Sequence, residues 1–196
     1  MRSAEGEQRD SVYGEVERGQ LRDVARASIE EGLRSGVALV LEPSDYAPIL
    51  RAQRATFVTL RTKSSGELRG CVGGLEAKLS LISAVAQSAF NAAFRDPRFP
   101  PLRSDEFSDL DIHLSVLSPL KAMEVSSERE LCQRLRPGVD GLVLADGSHS
   151  ATFLPDVWES LSEPQRFVRE LKRKAGLTSD HWSPSMRVQL YTSESF

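Results

Sequence analysis

Cysteine is scarce in this chain. Cys71 and Cys132 are the only two, and two distant thiols without a secretory leader offer no disulfide framework and point to a reducing compartment. Histidine is nearly as scarce: His113, His149 and His181 are the whole supply. No C-x-x-C or H-x-x-x-H pair occurs, so ligand spacing predicts no metal site, and the residues specify no cofactor. No run of 18 apolar residues is present, which excludes a spanning helix. The first seven residues are acidic and lack an apolar h-region, so they do not read as a secretory signal, and a cytoplasmic protein is expected. A basic surplus is missing too. Lys and Arg number 25 against 28 Asp and Glu, a formal charge of -3, which argues against generic nucleic-acid or anionic-membrane binding.

What is present suits a globular protein. With 196 residues, 40% apolar and 27% charged, the chain can fill one core, with or without a small satellite lobe. Residues 1–12 read as a flexible N-terminal tail, and 13–196 as a single domain. No internal repeat, low-complexity segment or linker interrupts it. Leu21, Val24, Ala25, Ser28, Ile29 and Leu33 recur at helical spacing, and Gly36 ends that helix. Residues 37–41 form a short apolar run, either a buried strand or a helix exit. Strands are expected over 54–61 and 67–72, joined by the turn Lys63-Ser64-Ser65-Gly66.

Residues 79–94 carry the clearest apolar helical stripe; Pro97 stops that helix by Asp96. Strict alternation marks a strand over 107–117. A short helix over 128–135 follows, then a hairpin around Asp146-Gly147, a helix over 161–174 and a last strand over 186–191. Hairpins without a regular βαβ rhythm predict an α+β fold: a largely antiparallel or mixed sheet flanked by helices.

The segment Leu68-Arg69-Gly70-Cys71-Val72-Gly73-Gly74 stands out chemically. Glycines there let the backbone turn sharply or approach another group closely. Cys71 needs a lowered pKa and a nearby base to act as a nucleophile; Arg69 leaves the same strand face, and His113 or His149 are the candidate bases. The alternative is a thiol packed as a small hydrophobe. Arg69 either clamps a carboxylate or phosphate or pairs with Glu67 or Asp96. Gly70 and Gly73 are candidate binding positions, since the glycines at this turn present backbone N–H groups. Asn91, Asp96 and Arg98 either rim the same pocket or cap the helix end and brace the proline-rich turn. The motif is neither a nucleophile elbow nor a phosphate loop or dinucleotide fingerprint. Arg166, Arg169, Lys172, Arg173 and Lys174 form a basic stretch diluted by acids, either a solvated helix face or an RNA-binding one.

Several ordered motifs together resemble a known family. They are Leu68–Gly73; Asp96-Pro97-Arg98-Phe99-Pro100-Pro101-Leu102; the strand Asp111–Leu117 with Ser118-Pro119; Gly138–Leu144; Ala151–Trp158; and Lys174-Ala175-Gly176-Leu177. Across about residues 15–193 the chain is similar to the AMMECR domain, called in bacteria and archaea AmmeMemoRadiSam system protein A. Val72 departs mildly from a pattern that more often carries Ile. The resemblance implies an α+β sheet with flanking helices and a smaller second lobe, and association with a Memo-like protein and a radical S-adenosylmethionine protein in a modification pathway. It implies no settled activity. An enzyme or ligand-binding component with a pocket at the Leu68–Gly73 motif, a non-catalytic adaptor for those partners, and an RNA-binding protein all stay open.

Overall fold

The computed structural model describes residues 11–196. Of the expected N-terminal tail, residues 1–10 lie outside the described residues, while Ser11 and Val12 hydrogen-bond the Glu194 carboxylate at 2.7 and 2.9 Å. The helices are α1 (Glu15–Ser35), α2 (Pro48–Arg51), α3 (Leu81–Phe94), α4 (Glu128–Arg134) and α5 (Pro164–Lys174). The strands are β1 (Thr56–Thr62), β2 (Leu68–Gly73), β3 (Leu110–Leu117), β4 (Lys121–Ala122), β5 (Gly141–Asp146), β6 (His149–Phe153), β7 (Arg187–Tyr191) and β8 (Ser193–Ser195). They form two four-stranded sheets, ordered β2-β1-β3-β8 and β4-β7-β5-β6, so the α+β expectation holds. The chain divides into two compact units, one running to Ser115 and taking in 194–196, the other Val116–Ser193. No helix among the described residues is long and apolar enough to cross a membrane.

In the first unit α1 and α3 pack against each other and α3 lies on β1 and β2. Leu21, Ala25 and Ile29 of α1 meet Ile82, Val85 and Ala89 of α3 in a fully buried core with Val58, Leu60 and Leu114. One polar group sits inside it. The buried Ser28 hydroxyl donates to the Ala86 carbonyl at 2.7 Å and accepts the Leu39 N–H at 3.1 Å, so its burial leaves nothing unsatisfied. The 37–41 run is an exit loop rather than a strand, and Val40 is 91% exposed.

Helix α3 begins at Ser80, whose hydroxyl accepts the Ser83 N–H. It ends where the Arg95 N–H reaches the Asn91 carbonyl at 2.8 Å, just ahead of Pro97. β1 and β2 run antiparallel, Thr59 opposite Cys71 and Leu60 opposite Gly70, with a register irregularity at Leu60/Arg61.

The second unit is built around Leu131, Leu142, Leu144, Phe167, Leu171 and Val188. The Trp158 ring stacks on Phe167 at 3.7 Å and its Nε1–H donates to the Asp140 carbonyl at 2.7 Å. Helix α5 starts at Pro164 rather than Leu161, because proline suits the first helical turn.

Candidate functional site

β2 is an edge strand of the first sheet, and its glycines are dictated by what touches them. A Cβ on Gly70 would overlap the Ala92 carbonyl oxygen of α3; only a hydrogen lets the helix backbone press this close to the strand. A Cβ on Gly73 would overlap the Thr56 carbonyl and Phe57. Gly74, by contrast, faces open space.

Between the two tight glycines sits Cys71, half-buried. Its backbone is engaged on the side away from β1. The N–H donates to Asp96 Oδ2 at 2.9 Å, and the carbonyl accepts Arg98 Nη2–H at 3.2 Å. The two side chains are themselves joined, Arg98 Nε to Asp96 Oδ1 at 2.9 Å and Nη2 to Oδ2 at 2.7 Å. Asp96 is buried. The Arg98 guanidinium, with the N–H groups of Cys71 and Arg98, holds its carboxyl far below the usual carboxylate range despite the opposing effect of burial. With the backbone groups of Cys71 turned outward, Thr59 and Cys71 form a non-hydrogen-bonded pair, which brings their side chains close; Thr59 Oγ1 lies 3.4 Å from the thiol sulfur.

Arg69 does not pair with Glu67 or Asp96. Its Nε and Nη2 hold the Glu106 carboxylate at 2.7 and 3.1 Å, Nη2 also donates to the Pro100 carbonyl at 3.0 Å, and Nη1 is buried without a partner. Arg69 pulls the Glu106 carboxyl down from its ordinary pKa. The Phe99 ring lies between 5 and 6 Å from both guanidiniums, 5.9 Å from Arg69 and 5.6 Å from Arg98, a cation–π arrangement. The loop 96–101 is thus fastened along β2 by charge, and each arginine already holds a carboxylate.

Among the described residues no hydrogen bond joins a candidate base to the Cys71 thiol, although His113 lies on β3, two strands from Cys71 in the same sheet. His113 is exposed and its imidazole bonds Asp111 at 2.8 Å. His149 belongs to the second unit, where Nδ1 meets the Ala175 carbonyl at 3.0 Å. Asn91 supplies the α3 end with its carbonyl, and its Oδ1 accepts Gln87 Nε2–H at 3.2 Å. Among the described residues no three His, Cys, Asp or Glu side chains gather as a metal site would require. The basic stretch of α5 is largely engaged: Lys172 is fully buried against Glu128 at 2.7 Å, Arg173 pairs with Glu170, and Lys174 donates to the Thr152 carbonyl.

The space lies just past the motif. A cleft of about 600 Å³ opens at the Gly74 end of β2, between the entry to β1 and one side of α3. Ala55, Leu75, Leu79 and Ala84 give it an apolar floor. Arg54, Gln87 and Ser88 supply polar groups, and the paired Glu76 and Lys78 stand at its lip. Sequence reasoning missed Arg54, Gln87, Ser88 and Glu106. A signal existed for part of it: Ala84, Gln87, Ser88 and Asn91 follow i, i+3, i+4, i+7 spacing on the side of α3 opposite its apolar stripe.

A family model for AMMECR1 matches residues 22–196. A protein of Methanothermobacter thermautotrophicus is 38% identical over 179 residues, covering 88% of this chain and 90% of that one. A protein of Methanococcus aeolicus is 36% identical over 172 residues, covering 87% and 84%. Among solved structures, the uncharacterized protein PH0010 from Pyrococcus horikoshii superposes with a TM-score of 0.79 at 33% identity, over 89% of this chain and 88% of that one.

Proposed function

Because the chain belongs to the AMMECR1 family, we propose that it is a cytoplasmic ligand-binding component of a modification pathway, acting with a Memo-like protein and a radical S-adenosylmethionine protein. Its ligand sits in the cleft beside the Gly73-Gly74 end of the motif. One observation carries this reading: the two arginines at the motif already hold carboxylates within the protein, whereas the adjoining cleft of about 600 Å³ is open. That volume falls in the range of small-molecule sites, and a mostly apolar lining with a few convergent polar groups is their usual composition. The motif's part is to hold β2, α3 and the 96–101 loop in place so that the cleft keeps its shape.

A ligand screen by thermal shift tests this, run in parallel on the wild type and on Ser88→Trp, which fills the cleft from α3. Compounds that raise the wild-type Tm and leave the variant unmoved support the cleft. Compounds that stabilise both equally place the ligand elsewhere. Covalent chemistry at Cys71 is the second reading, favoured by the half-exposed thiol beside the Thr59 hydroxyl. It requires a ligand that Cys71→Ala still binds but no longer converts.

A further inference from the structure

Among the described residues, the cleft has one cation that no carboxylate claims. Arg54 lines it, and its Nη1 donates to the neighbouring Gln53 carbonyl at 2.8 Å. It also stands by the Tyr13 hydroxyl: burial pushes that phenol's pKa up and Arg54 works against the rise. Both partners are uncharged. Among the described residues Arg54 makes no ion pair, whereas Arg18, Arg34, Arg69, Arg98, Arg103 and Arg134 each hold a carboxylate. The carboxylate near Tyr13, Glu194, is taken by Arg18 at 2.9 Å. Lys78, which also lines the cleft, is taken by Glu76.

Apart from the Glu76–Lys78 ion pair, the rest of the cleft is apolar or neutral. Leu79 is 46% exposed and presents apolar surface to the cleft. The Ser88 hydroxyl has no partner among the described residues, and Gln87 gives one amide N–H to Asn91 Oδ1, leaving its second N–H and its carbonyl oxygen. The Gly74 N–H is consumed by the Thr56 carbonyl at 3.2 Å, so that donor is not offered to a ligand. A planar guanidinium with spare N–H groups matches a carboxylate bidentately.

From these we infer that the cleft takes a small apolar carboxylate, an acyl acid or N-acyl amino acid. Its carboxylate lies on Arg54, its hydrocarbon part on Leu75, Leu79 and Ala84, and its amide oxygen or N–H within reach of Ser88 and Gln87. This deepens the cleft reading and rests on it. The pairing supplies affinity only because the apolar floor removes water from around it.

The test is a titration of the full ¹⁵N-labelled chain with N-acetyl-leucine, its uncharged amide N-acetyl-leucinamide, hexanoate and inorganic phosphate, each to about 10 mM, a range that captures weak fragment binding. N-acetyl-leucine is expected to move the backbone signals of residues 74–79 and 84–88, with binding at least about tenfold weaker for the amide and for Arg54→Gln, and largely kept in Arg54→Lys. Hexanoate binding as tightly as N-acetyl-leucine assigns the site to plain acyl acids; weaker hexanoate binding assigns it to acids carrying an amide. Both support a carboxylate site. Equal binding of acid and amide, or undiminished binding in an Arg54→Gln variant whose spectrum is otherwise unchanged, overturns the carboxylate and leaves the cleft standing. Phosphate outcompeting the acid overturns the apolar part. No movement of cleft signals with any probe overturns both the ligand class and the cleft.

Discussion

Gly70 and the Ala92 carbonyl are in such close contact that a single methyl group cannot come between them. Strand β2 meets helix α3 backbone to backbone there, so Gly70→Ala must move one element off the other. Overpacking of this kind costs about 3 kcal/mol. Gly74→Ala, which adds a methyl facing open space, is expected to stay within about 0.5 kcal/mol of wild type. Urea unfolding of the two variants side by side checks the contrast; comparable midpoints would show that the strand and helix are not held as described.

Asp96 makes stability depend on pH. Its carboxyl is held down chiefly by Arg98, so the unfolded chain takes up the proton more readily than the folded protein. The stability it contributes is therefore present above the ordinary carboxylate range, about 4, and is lost as pH falls toward the depressed folded value. Asp96→Asn should cost about 1–3 kcal/mol at neutral pH. Its urea midpoint should converge on wild type as the pH drops below about 4. A gap that stays constant from pH 7 to 3 would contradict the assignment.

The two thiols should separate in reactivity. Cys71 is half-exposed, whereas Cys132 is buried and its pKa is raised, by burial first and the Glu128 charge second. In the folded protein at pH 8, alkylation followed by mass spectrometry should modify Cys71 at least about tenfold faster than Cys132. Denaturant should bring the rates together. Equal rates without denaturant would mean that the second unit opens readily.

Lys172 and Glu128 form an asymmetric pair, the lysine fully buried and the acid 31% exposed. Glu128→Gln strands a buried cation and should cost about 3 kcal/mol, while Lys172→Met removes the buried charge and should cost less. Thermal unfolding of both variants decides it, and the reverse order would refute the account.

Local pattern revealed elements more readily than partners. The β1–β2 hairpin and α3 were legible because alternation, the Lys63–Gly66 turn and an apolar stripe stopped by Pro97 are all short-range signals. The partner of Arg69 was not, because Glu106 is 37 positions away and reaches Arg69 only once the 96–101 loop folds back along β2. Strand alternation placed Arg69 and Cys71 on a common face but gave no view of what else lies there. The 37–41 run shows the limit from the other side: five apolar residues read as a strand or an exit, and only the absence of a neighbouring strand settles it as a loop. Division of the strands between two sheets was hidden for the same reason, since β4 is two residues long and carries no periodic signal at all.

A sheet margin normally advertises itself to any extended chain nearby, because its unpaired donors and acceptors form a template. At Cys71 the Asp96 carboxylate and the Arg98 guanidinium already occupy that template, two side chains standing in for one residue of a strand that is not there. At this residue an added strand would find neither donor nor acceptor free. Loss of either side chain would reopen the edge at Cys71 to strand addition.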